Sequence, residues 1–146
     1  QGVSSAASDV YKRQINIYVA AFYTPLPLRS AKGVEGSPGP MRFDFTFLRS
    51  VGQSDVTKAW TSQFAQSVSY TYPGYPRDRD AFIALFGALS KGGVECVKLI
   101  GINTVVYDQG KKMGTIPGRD FQKSFLSLWF GSKPVSSGLK AALLGK

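Results

Sequence analysis

Apolar and polar residues change their spacing several times along the chain, and each change marks an element. Residues 14–23, QINIYVAAFY, are rich in β-branched and aromatic side chains and stop at Thr24-Pro25-Leu26-Pro27, which predicts a strand. Ala20-Ala21 sets two small side chains in its middle, one on each face. Residues 41–48 alternate: Met41, Phe43, Phe45 and Phe47 share one face, and Arg42, Asp44, Thr46 and Leu48 the other. That is a half-buried strand of an antiparallel sheet. Between the two, residues 28–40 are polar and rich in glycine and proline, without the Lys-Ser/Thr pair that a phosphate-cradling loop requires. The spacing then becomes helical. Val56, Ala59, Trp60, Phe64 and Val68 recur at three- and four-residue steps behind a capping Ser54, predicting a helix over 54–69. An aromatic loop with two prolines, residues 70–76, leads to a second helix over 78–89, with Phe82, Ile83, Leu85, Phe86 and Leu89 inward. Strands are predicted over 94–101, 102–107 and 111–116, the last two joined by a turn at Asp108-Gln109-Gly110.

The remaining residues read as two helices closed by glycines. Pro117-Gly118 ends the last strand, and Phe121, Phe125, Leu128 and Trp129 form an apolar face, with Arg119, Gln122 and Lys123 outside. Asp120 suits the positive end of the helix dipole, and Gly131 is expected as a left-handed terminator. Ser136 is positioned to cap a final helix with Leu139, Leu143 and Leu144 inward, stopped by Gly145. Strands at both ends of the chain, with helices between and after them, predict an α+β protein: an antiparallel sheet with helices on one face.

Composition narrows the chemistry. A chain of 146 residues holds one domain with one core. Residues 1–13, QGVSSAASDVYKR, are small and polar, and resemble a translated linker scar; they are set apart from a domain over 14–146. Histidine is absent, which removes Ser-His-Asp and Cys-His catalysis and His-based metal sites. Cys96 is the single cysteine, in an apolar run where a small buried hydrophobe is expected. The net charge of +9 is spread over single residues, with only Lys12-Arg13 and Lys111-Lys112 adjacent, so a solvated basic surface is expected and no nucleic-acid partner. No apolar run reaches the length of a membrane span.

Among the carboxylates, Asp78 and Asp80 sit where acidic residues serve a helix dipole, and Asp44, Glu95 and Asp108 have no partner at a recognisable spacing. Tyrosine and arginine are the better candidates. Tyr18 and Tyr23 point to opposite faces of the first strand, and Arg42 and Arg49 flank the second. An arginine and a tyrosine in one apolar cleft would hold a carboxylate, because guanidinium forks onto two oxygens; the plainer reading is an exposed strand arginine. Trp60 and Trp129 lie on different helices, as two walls of one pocket or simply as core.

The stretch GTIPGRDFQKSFLSLWFGSKPVSSGLKAALLG closely resembles the C-terminal signature of bacterial chalcone isomerase-like proteins, through Gly114, Ile116, Pro117, Gly118, Phe121, Trp129, Gly131, Pro134, Leu139, Lys140, Leu143, Leu144 and Gly145. IYVAAFY at 17–23 and FTFLRSV at 45–51 extend the resemblance over 14–146. It implies an open-faced β-sandwich, an antiparallel sheet backed by a layer of helices. Plant chalcone isomerases, intramolecular lyases that cyclise a chalcone to a flavanone, are more distant. Their catalytic Thr, Tyr, Asn and second Thr fall near Tyr18, Asp55, Ser62 and Leu128, and their Arg belongs to a strand before residue 14. No residue is therefore assigned a catalytic role, and lyase activity on an unknown substrate stands as the alternative. The resemblance implies a non-catalytic protein that binds a fatty acid or similar small amphipathic anion through Tyr18, Arg42, Arg49 and Trp60, with no metal or cofactor. A monomer is expected, periplasmic or secreted in its intact form, because the bacterial relatives usually carry an export signal.

Overall fold

The computed structural model describes residues 3–7, 18–24, 40–135 and 137–143. Within them run strands β1 (Val3–Ala7), β2 (Tyr18–Thr24), β3 (Met41–Phe47), β4 (Val94–Ile100), β5 (Asn103–Asp108) and β6 (Lys111–Ile116). The helices are α1 (Gln53–Ser67), α2 (Tyr75–Ile83), α3 (Arg119–Phe130) and α4 (Ser137–Leu143). All six strands lie in one antiparallel sheet, in chain order from β1 to β6. The chain leaves the sheet after β3 to form α1 and α2, and α3 packs against both of them and against β5. This is the α+β architecture expected, an antiparallel sheet backed by helices. No helix among the described residues is long and apolar enough to cross a membrane.

Aromatic rings join the two layers. On β3 the odd positions Met41, Phe43, Phe45 and Phe47 are buried, as alternation requires. Phe43 meets Phe22 on β2 at 5.0 Å and Phe125 on α3 edge-on at 5.3 Å. Phe82 on α2 meets Trp60 on α1 at 5.2 Å and Phe121 on α3 at 5.3 Å. Such pairs each contribute about 0.5–1.5 kcal/mol beyond burial, so the helices are fixed by ring geometry as well as by area.

Two hairpin turns set the register. Gln109 and Gly110 both have positive φ (49° and 87°), the requirement of a two-residue turn whose twist matches its strands. Gly101, at φ 59°, opens the other two-residue turn and makes Ile100 the partner of Asn103. That pairing, continued down the hairpin, places Glu95 opposite Asp108.

Several elements depart from their periodicity. The helix expected over 78–89 runs from Tyr75 to Ile83. Pro76 sits in its first turn, where a missing N–H costs nothing, and the chain then unwinds through Phe86 to a bridge between Leu89 and Val51. Phe86 and Leu89 stay buried without being helical. α1 begins after Gly52, with no side-chain cap from Ser54, and Ala59 is exposed. Gly131 is extended (φ −74°, ψ −169°) and is no left-handed terminator; a Cβ there would run into Ser69 and the Ser127 carbonyl. Gln122, expected outside, is buried and donates from Nε2 to the carbonyls of Gly101 and Asn103 at 3.0 and 2.9 Å.

Val3–Ala7 lies in the stretch set apart as a scar, yet it forms the edge strand, paired from Val3↔Thr24 to Ala7↔Ala20. Edge pairing is made by backbone groups, which small polar residues offer as readily as large ones, so composition is blind to it. Residues 14–17 of the first expected strand, the connection over 28–39, the Ser136 cap and the Leu144-Gly145 stop lie outside the described residues, as do the side chains of Leu139 and Leu143.

Candidate functional site

Between the sheet and α1 lies a cavity of about 40 Å³. β2 supplies Tyr18, β3 supplies Phe45 and Phe47, α1 supplies Trp60 and Gln63, and α3 supplies Trp129. The walls are ring faces and edges: Tyr18 stands edge-on to Phe45 at 5.4 Å, and Phe45 lies 5.4 Å from Trp129 and 6.3 Å from Trp60. Trp60 and Trp129 thus wall one cavity from two helices, both in ring contact with Phe45. Trp129 is sealed, at 1 % exposed, whereas Trp60 is half-buried.

Polar atoms are few here, and they are buried. Trp129 Nε1 and Gln63 Nε2 are buried donors with no hydrogen-bond acceptor among the described protein groups. Each such donor costs about 1–3 kcal/mol relative to one that is satisfied. The Tyr18 hydroxyl belongs to the same lining.

The fourth polar group is Glu95, 2 % exposed, on the buried face of β4 beside Val97 and Leu99. Burial, then the hydrogen bond to Asp108 and that group's negative charge, pushes its carboxyl up to about 9. Glu95 is therefore protonated at neutral pH. The carboxylates read as partnerless are thus partnered: Glu95 with Asp108, and Asp44 with Arg42. A charged residue type at an inward strand position was the signal for Glu95, since such residues are almost never fully buried alone.

The other expected binding residues divide. Tyr18 and Trp60 line the cavity; Arg42 and Arg49 do not. Arg42 is the register partner of Tyr23, and so faces the opposite side of the sheet from Tyr18. There its guanidinium forks onto Asp44 at 2.9 and 2.5 Å and lies 4.8 Å over the Tyr23 ring. Arg49 is exposed in the segment after β3. A Tyr18–Arg42 clamp is geometrically impossible, because strand alternation separates the two. The positions near the plant catalytic residues do not converge either. Asp55 and Ser62 are exposed on α1, and Leu128 is fully buried away from the cavity.

Other polar groups serve the frame. Tyr70 and Tyr72, in the aromatic loop, donate to Asp120 at the start of α3 (2.6 Å) and to Asp78 at the start of α2 (2.8 Å). On the open face of the sheet, Arg42, Asp44, Cys96, Lys98 and Tyr107 line a shallow polar dish. Cys96 is half-buried there and not in the core; burial and the bond to Asp44 push its thiol up to about 12, so it is no thiolate at neutral pH.

The sequence pattern of chalcone isomerase-like proteins matches this chain over residues 11–145. No curated protein sequence matches it significantly. In structure it is similar to a fatty-acid binding protein of Arabidopsis thaliana, with a TM-score of 0.62 at 12% identity, covering 98% of this chain and 84% of that one. At that identity the likeness is one of fold.

Proposed function

The chain belongs to the chalcone isomerase-like family, and from that premise we propose that it is a binding protein, without catalysis of its own, for a fatty acid or a similar amphipathic molecule with a carboxyl head. The observation that carries this reading is the pair of buried donors, Trp129 Nε1 and Gln63 Nε2, set in a largely apolar cavity. Donors of this kind are matched by an acceptor oxygen on an apolar body. The fold likeness to a plant fatty-acid binding protein supports the same reading.

The volume says how binding would proceed. A cavity of about 40 Å³ takes a head group, whereas sites that enclose whole small molecules run to roughly 300–1,000 Å³. An acyl chain therefore has to displace wall residues. Of the two tryptophans Trp60 is the more exposed, although it packs on Phe45, Phe64, Phe82 and Phe86, while Trp129 is sealed against Phe43, Phe45 and Phe125.

A lyase of the plant type would polarise an enone with a cation and hold a phenolate with hydroxyls. Among the described residues no Lys or Arg lines the cavity, which favours binding over cyclisation. Native mass spectrometry after mild extraction separates the two. The expected result is a mass increment of one fatty acid per chain, exchangeable with added acid, together with no turnover of a chalcone. Turnover that is lost in Tyr18→Phe would overturn the binding reading in favour of the lyase.

A further inference from the structure

Glu95 puts a carboxyl group where strand alternation otherwise places hydrocarbon. It shares the buried face of β4 with Val97 and Leu99, lines the cavity, and has Asp108 directly across the hairpin. Two opposed carboxyls in such a setting hold one proton between them and keep one negative charge. Of the elements around Glu95, β5 contributes Asp108 and β2 the Tyr18 phenol. β3, α1, the segment after α2, and α3 present only uncharged side chains to the cavity. A ligand carboxylate would thus add a second negative charge with no described cation to meet it.

The hydrogen-bonding groups point the same way. Trp129 Nε1 and Gln63 Nε2 offer donors for a carbonyl oxygen, and the Glu95–Asp108 pair offers carboxyl oxygens for an O–H or N–H. Donors together with an acceptor are the complement of a carboxylic acid or a primary amide, not of a free anion. Resting on the binding function proposed above, we infer that the Glu95–Asp108 pair couples binding to protons: an acid enters this cleft with uptake of one proton, and an amphiphile with an uncharged amide head enters with none.

Calorimetric titration in two buffers of different ionisation heat counts those protons. With dodecanoic acid at about pH 7.5, where its carboxyl is ionised in water, the wild type takes up close to one proton per ligand. Affinity then falls about tenfold per pH unit as the pH rises. Dodecanamide binds with no uptake. Asp108→Asn removes the resident charge, so uptake with the acid drops below half while dodecanamide still binds. Acid binding to the wild type without proton uptake overturns the coupling and leaves the binding function standing; so does unchanged uptake in an Asp108→Asn protein that binds the amide. Failure of the wild type to bind either ligand removes the function itself, and the coupling with it. Should Asp108→Asn not fold, infrared difference spectra of the wild type decide the matter. A protonated-carboxyl band gained on acid binding supports the coupling, and its absence overturns it.

Discussion

A carboxyl group on the buried face of β4 ties the stability of this protein to pH. In the unfolded chain Glu95 titrates near 4.5; in the fold, burial and Asp108 push it up to about 9. Between those values the folded state holds a proton that the unfolded state has released. Its contribution to stability is therefore complete below about 4.5 and is lost as pH rises toward about 9. The melting temperature of the wild type is expected to fall by several degrees between about pH 5 and pH 9, and Glu95→Gln, neutral at every pH, is expected to flatten that decline. An equal decline in the variant would show that other groups cause it. Glu95 was legible in the sequence, because Val97 and Leu99 fix the parity of the buried face and Glu95 shares it. Its partner was not, since the pairing with Asp108 depends on the register set by a two-residue turn at Gly101-Ile102, and a strand break placed between 101 and 102 does not fix that register. The same parity argument would have removed Arg42 from the site, for Arg42 alternates with the buried phenylalanines of β3. The two buried donors lie beyond sequence altogether. An indole or amide N–H lacks an acceptor only by virtue of the packing around it.

At the scale of elements, most strands and helices follow from periodicity, and the errors have steric causes. α3 shows this most clearly. Four apolar residues predicted one buried face, yet every residue from Ser124 to Phe130 is buried, because α3 runs between the sheet and the other helices. The small serines fit that crowding by bonding to backbone: Ser124 Oγ donates to the Tyr70 carbonyl at 2.7 Å, and Ser127 Oγ accepts from the Ser69 N–H at 3.0 Å. Gly131 belongs to the same contact. Its φ suits any residue, so Gly131→Ala tests space alone, and stiff backbone at Ser127 blocks the new methyl. Chemical denaturation is expected to show a loss of about 1–3 kcal/mol, the usual range for overpacking. An unchanged midpoint would show that Ser69 and Ser127 give way to the methyl and that the close approach is not what requires glycine here. α2 fails differently. Phe82, Ile83, Phe86 and Leu89 keep a helical period in sequence, but the bridge between Leu89 and Val51 takes the end of that run out of the helix. A pairing partner 38 residues away leaves no local signal.

At the scale of the molecule, the described residues form a six-stranded antiparallel sheet with helices on one side, which leaves the other face of the sheet to Arg42, Lys98, Tyr107 and their neighbours. That arrangement was legible early, because the order of elements and the C-terminal glycine-punctuated helices both point to it. The site was legible only in part: Tyr18 and Trp60 line the cavity, and the two arginines stand outside it. That difference underlies the proposed proton coupling, in which a cleft without a described cation takes a neutral head where a cleft with arginine would take an anion. Trp129 is the residue that reports on it, since its indole N–H is buried, unmatched and distinct from that of Trp60. The direct measurement is an NMR titration of the two indole N–H resonances with dodecanoic acid. Saturable binding with a downfield shift of the Trp129 indole proton, as it gains an acceptor, is the predicted result. Saturation of the protein with that resonance unmoved, or no binding, would contradict the assignment of this cavity as the ligand site.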